Sequence, residues 1–276
     1  MPGEILCTHT GSLPRPDDLI AMMWAVGDGI PVDRVALEAR IETAVTEIVA
    51  KQVSAGVSVI NDGEMSKPSY ATYVKDRLSG FEGESVQNYH FQDLVDFPRS
   101  QEIVASNPGR RKRTAPACTG PITVKDADAA VKDATLLNAA AAATGHGRVF
   151  SSAASPGVVS VFFNNEYYAT REEYLFAIAE AMRVEYEAIA ATGATVQLDC
   201  PDIGMGRHSA YAHLSLDDYR ATIRTNVEAL IHAIESRGAQ HGAGHETEVE
   251  FSDAPETGVG SAGLGDLLPA DVPAAS

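Results

Sequence analysis

Three groups of residues in this 276-residue chain pair side chains that can hold or activate a small molecule with turns that would leave them accessible. The first is the run THTGSLPRP at 8–16. Gly11 lets the chain turn sharply there, and exposed backbone N–H groups together with Ser12 can hold a carboxylate or another anion. Gly-Ser-Leu-Pro is equally an ordinary turn, so these residues alone leave both uses open. His9 could be a ligand, although a lone histidine beside a strand is expected to be a satisfied structural one. The second group is Asp62-Gly63-Glu64, where Glu64 can bind an ammonium or position a thiol substrate, or else cap a helix beginning near Pro68. The third centres on Asp199, which directly follows Val196-Gln197-Leu198 and should point into the mouth of a barrel. A buried acid without a partner is costly, which favours a ligand-facing role. Asp202 and Arg207 on the next loop are expected to pair with each other.

Each group sits just past a run of strand-forming residues: Ile5 to Cys7, Val57 to Ile60 and Thr195 to Leu198. That is where α/β enzymes gather their chemistry, because strand ends converge and the loops beyond are free to vary. Between these runs lie helical patterns. One starts near Arg15-Pro16-Asp17 and runs towards Trp24; a second places Leu37, Ile41, Val45, Ile48 and Gln52 on one face before the stop at Gly56. Pro68 to Leu78 reads as a third, with proline suited to its first turn, and Asp128 to Ala143 as a fourth. Thr170 and Glu173 have capping-box spacing ahead of a stripe of Leu175, Ile178, Met182, Tyr186 and Ile189. Ser215 opens the last, striped by Tyr219, Ile223, Val227, Leu230 and Ile234. Further strands are expected at Pro116 to Cys118 and Arg148 to Ser152.

About five strand–helix units favour a parallel sheet, and functional loops at every strand end favour a (β/α)8 TIM-type barrel, here with about five of eight units. Residues 80–113 are irregular and read as an insertion or hairpin; the basic run Arg110 to Arg113 reads as a solvated surface. The partial barrel is expected to span 1–236. From 237 to 276 the chain is acidic, rich in Gly, Ala and Pro, and without period, and is expected to be disordered. His241, His245 and Glu246 lie in that tail without a scaffold for tetrahedral metal geometry. No Walker A or Ser-His-Asp order occurs.

A 45% hydrophobic composition supports one substantial core, and a net charge of -17 argues against nucleic acid or an anionic membrane as partner. No window approaches a membrane span, so a cytoplasmic protein is expected. Cys7, Cys118 and Cys200 are too scattered for a disulfide framework and are expected to be buried thiols. Strand edges left unpaired make homo-oligomerisation an expectation.

In order along the chain, THTGSLPRP, AGVSVINDGE, CTGPIT, SPGVVSVFFNNEYY, VQLDCPDIGMGRH and NVEALIHAI resemble the C-terminal catalytic barrel of cobalamin-independent methionine synthase, especially its short single-barrel relatives. The match covers roughly the first 235 residues. The resemblance implies a uroporphyrinogen-decarboxylase-like barrel and zinc-dependent methyl or alkyl transfer to a thiol, homocysteine becoming methionine. It further implies that Gly11 and Ser12 bind the amino-acid carboxylate while Glu64 and Asp199 hold the ammonium. The partners it implies are a small-molecule thiol and a methyl donor, either a folate or a methylcobalamin-bearing protein; an epoxide, as in the relatives that alkylate coenzyme M, fits equally. The chain departs from the family in places. Val124 to Ala127 lacks the aromatic that stacks on folate, and Met205 stands near the position of a folate-binding glutamate. After NVEALIHAI the family carries a His-x-Cys zinc pair and further ligands, whereas here Glu235-Ser236-Arg237-Gly238 leads into the tail. The resemblance therefore implies zinc without recognisable ligands, and with it either impaired transfer or a truncated, non-catalytic binding module.

Overall fold

The computed structural model describes residues 5–85, 92–106 and 115–235. The basic run at 110–113 and the tail from 237 onward lie outside them. Helix α1 (Asp17–Gly27) and helix α2 (Arg34–Ser54) come first, α2 starting where Asp33 accepts the N–H groups of Val35 and Ala36. Leu37, Val45, Ile48 and Gln52 face inward as their spacing predicts, and Gly56 ends the run with a left-handed φ of 79°. The helix expected over 68–78 is confined to α3 (Val74–Arg77). Turns replace its first half, where Ser69 Oγ accepts the N–H groups of Ala71 and Thr72 at 3.4 Å and so offers the backbone another partner.

Strand β1 (Leu78–Ser85) pairs antiparallel with strand β2 (Ala115–Val124), and between them stands helix α4 (Pro98–Ser106). β1 and β2, at the start of the irregular stretch and just past its end, thus form an antiparallel arm, and the strand expected at 116–118 belongs to it. Helix α5 (Asp128–Ala143) packs against α2. Strand β3 (Phe150–Ala154) follows, then helix α6 (Pro156–Phe162) and helix α7 (Arg171–Ala191), capped by Thr170 on the Glu173 N–H at 3.1 Å. Strand β4 (Thr195–Asp199) pairs with β3 in parallel. A short helix α8 (Pro201–Gly204) leads to helix α9 (Leu216–Ile234), capped by Ser215 on Asp218.

Two apolar clusters hold these layers together. In one, α1, α2 and α5 enclose Ile60 and Met65; in the other, the whole expected stripe of α7 is buried against α6, β3 and the arm. The stripe expected on α9 is displaced. Asn226, Ala229 and Ala233 are its buried residues, while Ile234 is 54% exposed. Small side chains let α9 approach α6 and α7 closely, which turns the bulkier stripe aside. Arg183 of α7 donates to the carbonyls of His232 and Glu235 and so fastens the end of α9.

The fold is mixed α/β with two short sheets, and parallel pairing extends β3–β4 on one side only. Ile60 bridges Val149 in parallel, and the Cys7 carbonyl accepts the N–H groups of Ser58 and Val59 at 2.9 and 3.1 Å. Four segments therefore lie side by side, those of Cys7, Ile60, β3 and β4. Among the described residues β4 has no strand on its other side. Cys118 is buried, but Cys200 is only half-buried and Cys7 is exposed, since its segment runs along the outer edge.

Candidate functional site

The four adjacent segments end together, and their ends collect the polar residues. Beyond Ile60 the chain enters a buried turn whose shape is fixed by side chains. Gln52 of α2 donates to the Asn61 carbonyl (2.7 Å) and accepts its N–H (3.1 Å). Asn61 Oδ1 then accepts the Gly63 N–H at 2.8 Å, and Asp62 Oδ1 accepts the Glu64 N–H at 2.9 Å. Gly63 and Glu64 both take left-handed φ, 63° and 57°. Glycine adopts that conformation freely; Glu64 is the only other described residue in it, and such strain persists where surrounding bonds over-determine it.

Those bonds come from Arg15. Its guanidinium donates to the Glu64 carbonyl from Nε (3.1 Å) and from NH2 (2.8 Å), and to the Lys67 carbonyl at 2.6 Å. The Glu64 carboxylate is 1% exposed and accepts from two hydroxyls, Ser12 on one oxygen and Ser152 of β3 on the other at 3.3 Å. It does not cap a helix, because the next one starts only at Val74. Ser12 itself is exposed, and Gly11 before it holds a φ of 78° with open space about its Cα. The Leu13 N–H of the same turn donates to the Gly63 carbonyl at 3.1 Å.

Asp199 closes β4 opposite Ala154 and accepts from Gln197 at 3.1 Å. Burial pushes its carboxyl above the usual range; the Glu64 charge adds to this, while the Gln197 bond and Lys67 oppose it. Ser12, Glu64 and Asp199 are thus brought to one place, with Glu64 in electrostatic reach of both others. Asp202 has partners of its own. Rather than pairing with Arg207, it accepts from Ser155 (2.9 Å) and Asn226 (2.7 Å), and Arg207 donates to the Ala212 carbonyl at 3.3 Å. His9 departs from expectation differently: its Nε2 is buried without a hydrogen-bond partner among the described residues.

Four contributors were not read as site residues from the sequence: Arg15, Gln52, Lys67 and Ser152. Arg15 stood inside a quoted motif, and Gln52 was placed on the inward face of its helix, where a buried polar side chain requires a partner. Lys67 and Ser152 become meaningful only once β3 is set beside the turn.

Asp62 is 2% exposed, and burial pushes its carboxyl up against the opposing pull of Lys67. A carboxyl whose folded pKa exceeds its unfolded value adds stability while protonated and loses that contribution as pH rises through the gap. The loss starts near the ordinary value of about 4 and ends at the raised one. Asp62→Asn keeps the acceptor for the Glu64 N–H and removes the titration. Urea unfolding across that range is expected to show a shallower fall in stability with rising pH than the wild type; identical slopes would mean Asp62 titrates as in water.

Zinc, implied by the sequence resemblance, needs at least three ligands held together. Among the described residues no group of three His, Cys, Asp or Glu side chains is placed to share a metal ion. The donors among the described residues do not fit that metal.

No family model matches the chain, and no curated protein matches it. Solved structures do. A B12-independent methionine synthase from a Shewanella species, in complex with selenomethionine, superposes with a TM-score of 0.51 at 18% identity, over 71% of this chain and 50% of that one. A protein of Listeria monocytogenes assigned as a vitamin-B12-independent methionine synthase superposes with a TM-score of 0.56 at 17% identity, over 85% of this chain and 64% of that one. The likeness is one of fold. The chain spans between half and two thirds of the structures it matches.

Proposed function

We propose that the site binds a zwitterionic, thiol-bearing amino acid of the homocysteine type, in a partial (β/α) barrel descended from the B12-independent methionine synthases. The observation that carries this reading is the placement of Glu64. A carboxylate is buried on a strained turn, held by two serine hydroxyls, with a second carboxylate, Asp199, in electrostatic reach. Desolvated carboxylates gathered at one mouth attract a cation, and an α-ammonium supplies three donors for them. The turn at Gly11 and Ser12 would face the carboxylate of the same ligand. The thiol would then be the acceptor of a methyl or alkyl group from a folate, a methylcobalamin-bearing protein or an epoxide.

A second reading, a binding module without turnover, is favoured by the donor set, which offers no three-ligand metal group among the described residues. No thiol-activating step is therefore assigned to this chain's residues. Calorimetry separates the readings. L-Homocysteine and L-methionine are expected to bind, and N-acetyl-L-methionine, which lacks the ammonium, is expected not to bind. Equal binding of the acetylated compound, or no binding of any of the three, would overturn the site assignment. Methyl transfer from methyltetrahydrofolate with added zinc would select the enzyme over the binding module.

A further inference from the structure

Lys67 is 3% exposed, yet its ammonium forms no ion pair with a carboxylate among the described residues. It donates to the Ser152 carbonyl and rests 4.6 Å from the centre of the Tyr73 ring. An aromatic face and a carbonyl are both good hosts for a desolvated cation. Tyr73 is itself fixed, its hydroxyl donating to Glu185 at 2.5 Å and accepting the Ala154 N–H at 3.2 Å. Ser152 is shared, since its hydroxyl serves Glu64 while its carbonyl serves Lys67.

The charged groups around this cation come from several elements. Its own turn supplies Asp62 and Glu64, and β4 supplies Asp199. Asp133 of α5 acts on Asp62, and Arg15 occupies the carbonyls of Glu64 and Lys67. An ammonium free to swing would close onto one of these carboxylates and compete with any ligand cation. Tied to Ser152 and Tyr73, it acts on them only through space.

We propose that Lys67 is a positioning residue of the ammonium pocket, a tethered cation that supports the pocket's carboxylates without occupying the ligand's place. The proposal rests on the ammonium-pocket reading of the site for its meaning in binding, but its electrostatic core can be tested without ligand. Lys67→Gln retains a donor for the Ser152 carbonyl and removes the charge; Lys67→Arg retains the charge.

L-Methionine is the suitable probe because its thioether does not titrate. In Lys67→Gln the acid limb of its binding is expected to move up by about one pH unit, as loss of a nearby cation makes a carboxyl harder to ionise. Lys67→Arg is expected to keep the limb near its wild-type position. An unmoved limb in Lys67→Gln overturns the proposal, since a merely structural lysine would change affinity without changing its pH profile.

If the wild type binds no L-methionine, the ammonium reading fails by itself. NMR titration of labelled aspartate carboxyls then decides the role of Lys67: the Asp199 signal is expected to titrate higher in Lys67→Gln, and an unchanged titration overturns it. Should that variant not fold, wild-type protein labelled at lysine is sufficient. The Lys67 ammonium signal is expected to follow Asp199 ionisation, and its indifference would overturn the proposal.

Discussion

Arg77→Ala is expected to destabilise the protein by about 3–5 kcal/mol, the usual cost of leaving a buried charge without its partner. Arg77 is placed between two carboxylates, Asp133 of α5 and Glu185 of α7, the latter at 3.1 Å. All three side chains are nearly enclosed, with exposures of 11%, 12% and 8%. Tyr73 completes the group, donating to Glu185 and lying under the Arg77 guanidinium at 4.7 Å. Burial pushes the Tyr73 hydroxyl well above its usual pKa, and the Glu185 charge adds to the rise, so it serves the network as a neutral donor. Without Arg77, two carboxylates would face each other across a dry core. Urea denaturation measures the effect. A loss below about 1 kcal/mol would place the network in the class of solvated surface pairs and remove it from the core. Because the Tyr73 ring also carries Lys67, the same variant is expected to weaken L-methionine binding.

Glu64→Gln is expected to act the other way round, with little effect on folding and a large one on binding. The amide has the shape of the carboxylate; its oxygen can still accept from one of the Ser12 and Ser152 hydroxyls while its NH2 donates to the other. What disappears is the charge proposed to face the ligand's ammonium. Truncating one partner of a buried, hydrogen-bonded charge pair costs about 2–5 kcal/mol of binding. That corresponds to an affinity for L-methionine lower by roughly thirtyfold or more. Stability should be held or slightly raised, since a neutral amide is cheaper to bury than a carboxylate. Calorimetry and urea unfolding on the same preparation separate the two effects. Wild-type affinity in Glu64→Gln would show that Glu64 is a structural acid fastening the turn and that the ammonium binds elsewhere.

Together with Asp62 and Lys67, these residues describe a site wired into its scaffold. Arg15 locks the strained turn, Gln52 anchors its start to α2, and Ser152 links it to β3. Tyr73 connects the same pocket to a charge network in the core. Under the proposed function, ligand binding and stability are coupled through Tyr73, while Glu64 is the point at which they can be pulled apart.

The sequence by itself determined what short-range physics decides. Helix α5 begins at Asp128 and ends at Ala143 as its alanine-rich pattern requires, and α7 starts at the Thr170 cap and buries each residue of its five-membered stripe. The positions of Gly11, Ser12, Glu64 and Asp199 beyond their apolar runs were legible too, because an apolar run followed by a turn is a local pattern; only the run before Asp199 forms a regular strand, while Ile5 to Cys7 and Val57 to Ile60 are irregular segments with a single bridge at Ile60. Tertiary structure decided the rest. Whether Pro68 opens a helix depended on Ser69, Tyr73 and Arg77 finding other partners, and the buried face of α9 depended on how closely α6 and α7 approach. Strand direction in the 78–124 arm, the partner of Asp202 and the tether on Lys67 were likewise set by groups distant in sequence. Periodicity reports which residues avoid water, but a hydrogen bond or an ion pair is fixed by what lies across the gap, and only the folded chain brings that group there.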